Sequence, residues 1–352
     1  MPLLDALLEK NIRLVDYEAI CNKQGERMVA FGEIAGTAGM INILSGLGLR
    51  LLALGYYTPF IHIGMAHHYR NIKGARKAIH RAGSYITRNK MHKSIGPLVF
   101  IFTGSGNVSN GAQEMIRELP HKYVSVKELP MVANYGSTNL VYCCVVSRKD
   151  HIVKKDGGKY NKLEYNQHPE HFTSLFAQKV APYASVIING ISWPVNSPRL
   201  LTTDDAKDLL RPVNNPSLST FQASPQLPHR LLAISDVTAD PGGSIEFVKE
   251  CTAIDTPFCL YDVEQNKLKY GSMQGPGVLI CSINNMPTQL PLEATEFFGS
   301  LLLPYIYDIL QSDINKSFEE HSFTHEVEKA VITSEGKLTK NFEIITDLRA
   351  QN

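Results

Sequence analysis

The sequence predicts an α/β fold built on a doubly wound parallel sheet, and three observations carry that reading. Leu98, Val99, Phe100, Ile101 and Phe102 form an unbroken apolar run, as in a strand buried on both faces of a parallel sheet. Gly104 and Gly106 follow at once, then Ser109, Gly111 and a helical pattern of Ala112, Met115, Ile116 and Leu119. Further short apolar runs then alternate with helical patterns as far as Ile283. A strand, a glycine turn and a helix in that order make the phosphate-binding turn of a Rossmann-type domain. Gly104 allows the tight turn and Gly106 lets backbone approach a pyrophosphate. The helix start offers free N–H groups and a positive dipole end. Gly104, Ser105, Gly106, Asn107 and Val108 are therefore candidate cofactor-binding residues. Ser109 takes the third fingerprint position as a small residue that permits close helix–strand packing. An ordinary βα turn is the competing reading, and the flanking strand and helix favour a cofactor.

The remaining composition narrows the class. At 352 residues the chain has room for two domains and a large core. Lys+Arg 35 against Asp+Glu 34 leaves almost no net charge, which points away from nucleic acid and from a membrane surface. Cys21, Cys143, Cys144, Cys251, Cys259 and Cys281 show no C-x-x-C spacing and read as thiols in a reducing compartment. The uncharged run Tyr270–Leu292 is broken by Pro276, Pro287 and Pro291, so it is no spanning helix. Asp5, Glu9, Asp16 and Glu18 give the start of the chain no signal or transit character.

Taken in order, Leu3, Leu4, Leu7 and Leu8 recur at helical spacing, and Ile12–Val15 and Met28–Phe31 read as short strands. Glu33–Leu54 is a long helix rich in small residues, which implies close packing against another element or else a loop break. His62, His67 and His68 lack a carboxylate or cysteine at ligand spacing and read as polar loop residues; no metal ligand is expected. Lys73–Arg81 is a short basic helix. After the glycine turn, Tyr123–Val126 is expected as the second sheet strand, ending at Val126-Lys127-Glu128 with Lys122 nearby. That end favours NADP(H) through Lys127, with Glu128 as the ribose acid if the strand runs on. Leu140–Val146 is a strand ending at Ser147-Arg148, which makes Arg148 a second candidate cation. A helix is expected from Pro169 to Lys179. Ala184–Ile188 is a strand ending at Asn189-Gly190, both candidate cofactor contacts, and Trp193 beyond it serves either a ligand or the core. Thr202 and Asp205 form a capping box for a helix through Leu210. Val213–Pro228 is a Pro/Ser/Asn-rich surface loop. Leu231–Ile234 leads to Asp236 and then to Asp240-Pro-Gly-Gly243, two carboxylates at a strand end. Phe258–Tyr261 and Val278–Ile283 are further strands, the last followed by Asn285-Met286-Pro287. Leu292–Leu310 is a long apolar helix that Pro304 should kink, and helices are expected at His325–Ile332 and Phe342–Leu348.

Several long segments together carry a resemblance: VAFGEIAGTAGMINIL, LRLLALGYYTPFIHIGMAHHYRN, KSIGPLVFIFTGSGNVSNGAQ, INGISWPVNSPRLLT, ISDVTADPGGSIEF and INNMPTQLPLEATEFFG. The chain resembles the lysine–ketoglutarate reductases, within the alanine dehydrogenase and lysine-forming saccharopine dehydrogenase superfamily. The resemblance implies a bilobed enzyme. Residues 1–32 would be a remnant of an alanine dehydrogenase-like substrate domain, 33–283 the NAD(P)-binding domain, and 284–352 a helical return and tail. It implies condensation of L-lysine with 2-oxoglutarate and reduction of the imine by NADPH to saccharopine, in a homo-oligomer of the mitochondrial matrix. The superfamily's D-x-G-G aspartate falls on Asp240, near the nicotinamide, which makes Asp240 the candidate catalytic residue and Asp236 beside it a candidate cofactor contact. The N-M-P turn beside the cofactor falls on Asn285, Met286 and Pro287. The family's acid–base lysine and histidine lie upstream of the helix that begins at Pro2. The alternative is therefore an inactive NADP-binding chain with a regulatory or interaction role.

Overall fold

Leu98–Thr103 (β1) has all six residues buried and lies inside the sheet of the larger of two units. The computed structural model describes residues 2–194, 196–211, 226–313 and 315–350. One unit is Gly32–Pro291; the other joins Met1–Phe31 with Leu292–Asn352. The larger unit's other strands are His121–Tyr123 (β2), Val141–Val146 (β3), Val186–Asn189 (β4), Ala233–Asp236 (β5), Cys259–Asp262 (β6), Lys267–Lys269 (β7) and Val278–Cys281 (β8). They form an eight-stranded sheet in the order β7-β6-β8-β5-β4-β1-β3-β2. Every pairing from β8 to β2 is parallel, and β6 and β7 close one side antiparallel. Register puts Val146, Thr103, Asn189 and Asp236 in one row, so four strands end level at the carboxyl edge. An edge of that kind, in an open α/β sheet, is where ligands bind.

Apolar runs become central strands because both faces are covered. One face buries Val99, Ile101, Cys144, Ile187, Ile234 and Ile280 against Phe176, Leu201, Phe247 and their neighbours. On the other lies the helix Gly32–Ala53 (α1), whose glycines settle the choice left open by the sequence in favour of close packing. A Cβ at Gly36 would stand 1.9 Å from the Val108 carbonyl oxygen, and one at Gly46 2.7 Å from the Phe258 ring. The helix after β1, Asn107–Ile116 (α3), answers in kind: a Cβ at Gly111 would lie 2.0 Å from the Glu33 carbonyl oxygen. The helix Ile72–Asn89 (α2) is capped by Asn71, whose side chain accepts from the Gly74 N–H. Near the end of α1, fully buried Arg50 donates to the carbonyls of Met273, Gly275 and Gly277 and so anchors the loop before β8. α1 has the length and apolarity of a membrane span, and 94% of its apolar window is buried in the protein.

Several expectations are corrected. The strand expected at Tyr123–Val126 is His121–Tyr123, and Val126–Glu128 is a 3₁₀ turn. The expected helix from Pro169 to Lys179 divides into a 3₁₀ turn (Pro169–His171), a strand (Phe172–Ser174) and a short helix (Phe176–Lys179). Phe172–Ser174 pairs antiparallel with Ile152–Lys154, and Phe172 buries in a small cluster with Ile152 and Tyr165. Tertiary burial of Phe172 thus overrides the helical spacing. The basic helix expected over Lys73–Arg81 runs on to Asn89. Most of the expected surface loop, residues 213–225, lies outside the described residues.

In the smaller unit, Pro2–Glu9 is helical and Leu14–Val15 pairs antiparallel with Val331–Ser334, which pairs in turn with Lys337–Leu338. The helix expected to reach Ile332 therefore stops at Ala330. Met28–Phe31 forms no strand; Val29 is buried beside Ile20 and Ala330. The helix Pro291–Leu310 continues through Pro304, and its Phe298, Leu301, Leu302 and Tyr305 pack on that cluster.

Candidate functional site

The site begins where β1 stops. Gly104 takes φ +78°, a left-handed conformation open to glycine at little cost, and its N–H donates to Val146 O at 2.8 Å. Gly106 is the N-cap of α3 with ordinary extended backbone, and a Cβ there would meet nothing within 4 Å. Neither its conformation nor packing inside the chain calls for glycine at 106, so the space above it is free for an approaching ligand. Asn107 and Val108 open α3, where helical N–H groups lack intrahelical partners and favour an anion. A phosphate-bearing cofactor fits this cradle.

A cleft of about 520 Å³ opens from the turn along the carboxyl edge. One wall is Gly104, Ser105, Gly190, Ile191 and Ser192; the other is Ser147, Arg148, Lys149, Tyr160 and Lys162. Among the described residues, three cations and no carboxylate line it. Arg148 and Lys149 follow directly from β3, the strand that pairs with β1; in dinucleotide folds the end of that strand is where the ribose is read. Ser147 caps their short helix by giving both N–H and hydroxyl to Asp150, at 2.8 and 2.6 Å. The Arg148 guanidinium stands 5.0 Å from the centre of the Tyr165 ring, which holds its direction. The sequence reading assigned the ribose end to Lys127, and this is corrected. β2 is an edge strand separated from β1 by β3, and Lys127 lies in the exposed turn beyond it, outside the lining of the cleft. Glu128 is occupied as a cap, taking the N–H and hydroxyl of Ser125 at 2.8 Å, and those bonds hold its carboxyl below the usual range.

Asn189 and Asp236 lie beneath the edge, both buried, in a chain of hydrogen bonds that ties the strand ends together. The Thr103 hydroxyl donates to Asn189 Oδ1 at 2.8 Å, and Asn189 Nδ2 donates to Asp236 Oδ1 and Ser244 Oγ at 2.9 and 2.8 Å. Gly190 N–H donates to Thr103 Oγ1 at 3.1 Å. Burial pushes the Asp236 carboxyl up to about 6, although hydrogen bonds from Asn189 and Thr238 oppose this. Asp240 is half-buried in the following turn, where Ala239 has φ +51° and Gly242 φ +65°. Arg199 donates to the carbonyls of Gly242 and Gly243 and lies 4.6 Å over the Trp193 ring, while Trp193 Nε1 donates to Ser197 O at 2.9 Å. Trp193 therefore anchors the loop that carries Asp240. Asn285 is exposed at the start of a 3₁₀ turn; Met286 is buried, with Asn42 Nδ2 3.6 Å from its sulfur, and Pro287 follows. His67, which the sequence left in a loop, is 3.1 Å from Gln289 in the same turn.

Arg199, Tyr160 and Lys162 escaped sequence reasoning. Arg199 sits in the SWPVNSPRL segment, but its carbonyl partners Gly242 and Gly243 lie 43 and 44 residues further on, beyond β5. Tyr160 and Lys162 come from the insertion between β3 and β4, which no spacing rule links to a glycine turn.

Comparison with known proteins agrees with this geometry. Residues 233–341 match the C-terminal domain of the alanine dehydrogenase/PNT family. The chain is 52% identical over 349 residues to the mitochondrial alpha-aminoadipic semialdehyde synthase of Mus musculus, covering 99% of this chain and 38% of that protein. The chain is therefore similar, over nearly its whole length, to one stretch of the alpha-aminoadipic semialdehyde synthases. The Arabidopsis thaliana enzyme of that name is 36% identical over 364 residues, with 32% of its length covered. The chain thus spans well under half the length of the curated relatives that it matches. A solved L-alanine dehydrogenase superposes with a TM-score of 0.52 at 15% identity, covering 99% of this chain and 72% of that one, and shows the shared fold. A match to a dehydrogenase family implies a nicotinamide cofactor.

Proposed function

We propose that this chain binds NADPH in the cleft above β1 and serves lysine degradation as the cofactor-holding part of a lysine–2-oxoglutarate reductase. The observation that carries the cofactor choice is the trio of Arg148, Lys149 and Lys162 around the ribose end of a cleft without carboxylates. A 2′-phosphate is dianionic and needs such partners, whereas a ribose hydroxyl calls for an acid. The substrates, L-lysine and 2-oxoglutarate, and the product saccharopine are what the resemblance in the sequence implies. Mitochondrial placement is proposed from the name of the Mus musculus relative, and a homo-oligomeric assembly from the resemblance alone.

In this reading each part of the edge has a task. Backbone N–H groups of Ser105 to Val108 and the α3 dipole hold the pyrophosphate, and Gly106 leaves it room. Arg148 and Lys149 hold the 2′-phosphate, with Lys162 and Tyr160 closing from the insertion. Asn189 and Asp236 keep the strand ends level beneath the cofactor. Asp240 and the turn Asn285-Met286-Pro287 border the reactive end, and Arg199 fixes the Asp240 loop. When bound, NADPH supplies the hydride that reduces the imine of lysine and 2-oxoglutarate.

Fluorescence titration with NADPH and NADH tests the cofactor assignment, with NADPH expected to bind at least tenfold more tightly. Equal affinities overturn it. Oxidation of NADPH that requires both lysine and 2-oxoglutarate supports the reductase; tight binding without oxidation limits this chain to holding the cofactor.

A further inference from the structure

The turn that closes the inserted hairpin gathers three donor groups that the proposed dehydrogenase reaction leaves unused. His168, Glu170 and His171 flank Pro169, and one ligand atom of each lies within 4.8 Å of the other two. His168 Nδ1 is 3.2 Å and His171 Nε2 3.7 Å from the same Glu170 oxygen. The two imidazoles stack, centroids 5.0 Å apart and planes 13° from parallel. The backbone that carries them is pinned. His168 N–H donates to Glu164 O at 2.7 Å, His171 N–H to His168 O at 3.2 Å, and Lys155 N–H to His171 O at 3.0 Å. Pro169 fixes its own φ between them. Three donors therefore converge without any loop having to be ordered first.

We propose that His168, Glu170 and His171 form a binding site for a divalent transition cation of the zinc class, with a fourth position open to water. Metal–nitrogen and metal–oxygen bonds of about 2.0–2.2 Å in a tetrahedron place neighbouring donors about 3.4 Å apart. The observed 3.2 and 3.7 Å bracket that spacing. Two imidazoles with one carboxylate select zinc, cobalt or nickel over magnesium and calcium, which take oxygen ligands. His67 and His68 also meet, ring centroids 4.5 Å apart, but no acidic or thiol ligand joins them among the described residues.

The test is calorimetric titration of the metal-free full chain with zinc chloride, repeated with cobalt(II) for its visible absorption. A single saturable equivalent is expected, with the intense visible band of a tetrahedral cobalt site. H168Q/H171Q should weaken zinc binding at least tenfold and abolish that band, and E170Q should weaken it severalfold. All three side chains are more than half exposed, so the variants should keep the parent's thermal unfolding, which is measured alongside. Wild-type titration with no saturable equivalent overturns the site. So does a folded H168Q/H171Q chain that binds zinc as the parent does.

Discussion

In the proposed complex, Arg148 stands where one side chain would decide between two cofactors that differ by a phosphate. Its charge-assisted contact with a 2′-phosphate should contribute about 1.5–3 kcal/mol, so R148A is expected to weaken NADPH roughly 10- to 100-fold and leave NADH unchanged, read by fluorescence titration. The sequence named Arg148 at a strand end, yet it placed the decisive cation at Lys127. The short edge strand β2 reads like the neighbour of β1, and only the pairing of β3 with β1 shows otherwise. Buried titratable groups set a second expectation. Burial raises Asp236 from 3.8 to about 6, so its contribution is full below the unfolded value and fades as pH rises through 6. Burial lowers His151 and His229 from 6.5 to about 4, so theirs is present above 6.5 and is lost as pH falls through 4. Each shift amounts to on the order of 3 kcal/mol, and two histidines outweigh one aspartate. Urea unfolding should therefore show stability falling between pH 6.5 and 4, and D236N should make that fall steeper by removing the opposing group.

At the scale of elements, the contact between α1 and α3 is backbone against backbone. G36A or G111A drives a methyl into a carbonyl oxygen at about 2 Å, and each should cost about 3 kcal/mol in denaturant unfolding or prevent folding. G106A provides the contrast. Its methyl meets no protein atom, so the unfolding midpoint should hold while NADPH affinity drops at least tenfold. A loss of stability in G106A would mean that the open space serves the fold and not a ligand. The glycine turn, β1 and the long helix were legible because hydrophobic runs and glycine spacing are local signals. The inserted hairpin was not. Pro169 begins a helical-looking stretch, but Phe172 is drawn into a strand by burial beside Ile152 and Tyr165, partners that no local window contains.

Across the whole molecule, the cleft belongs to one uninterrupted stretch of chain, Gly32–Pro291, which carries its own sheet and both covering layers. Expressed alone, that stretch should fold and bind NADPH with the affinity of the full chain. At a ligand concentration of 100 times Kd it should gain about 2.7 kcal/mol of stability. The row of strand ends that forms the cleft floor rests on register between strands far apart in sequence, which is why composition and spacing could name its members but not align them. The other unit has the opposite construction. Leu14–Val15 finds its partner in Val331–Ser334, so the two strands of one small sheet bracket almost everything between them. During translation the residues just before Gly32 leave the ribosome ahead of the sheet domain and wait through its synthesis before their partner strand exists. Closing so long a loop costs little extra once its interior has already folded, because the chain to be restrained is then short. Assembly by this route is ordered in time. Residues 2–31 are made before the sheet domain yet settle after it, since their small sheet forms only once Val331–Ser334 has been made.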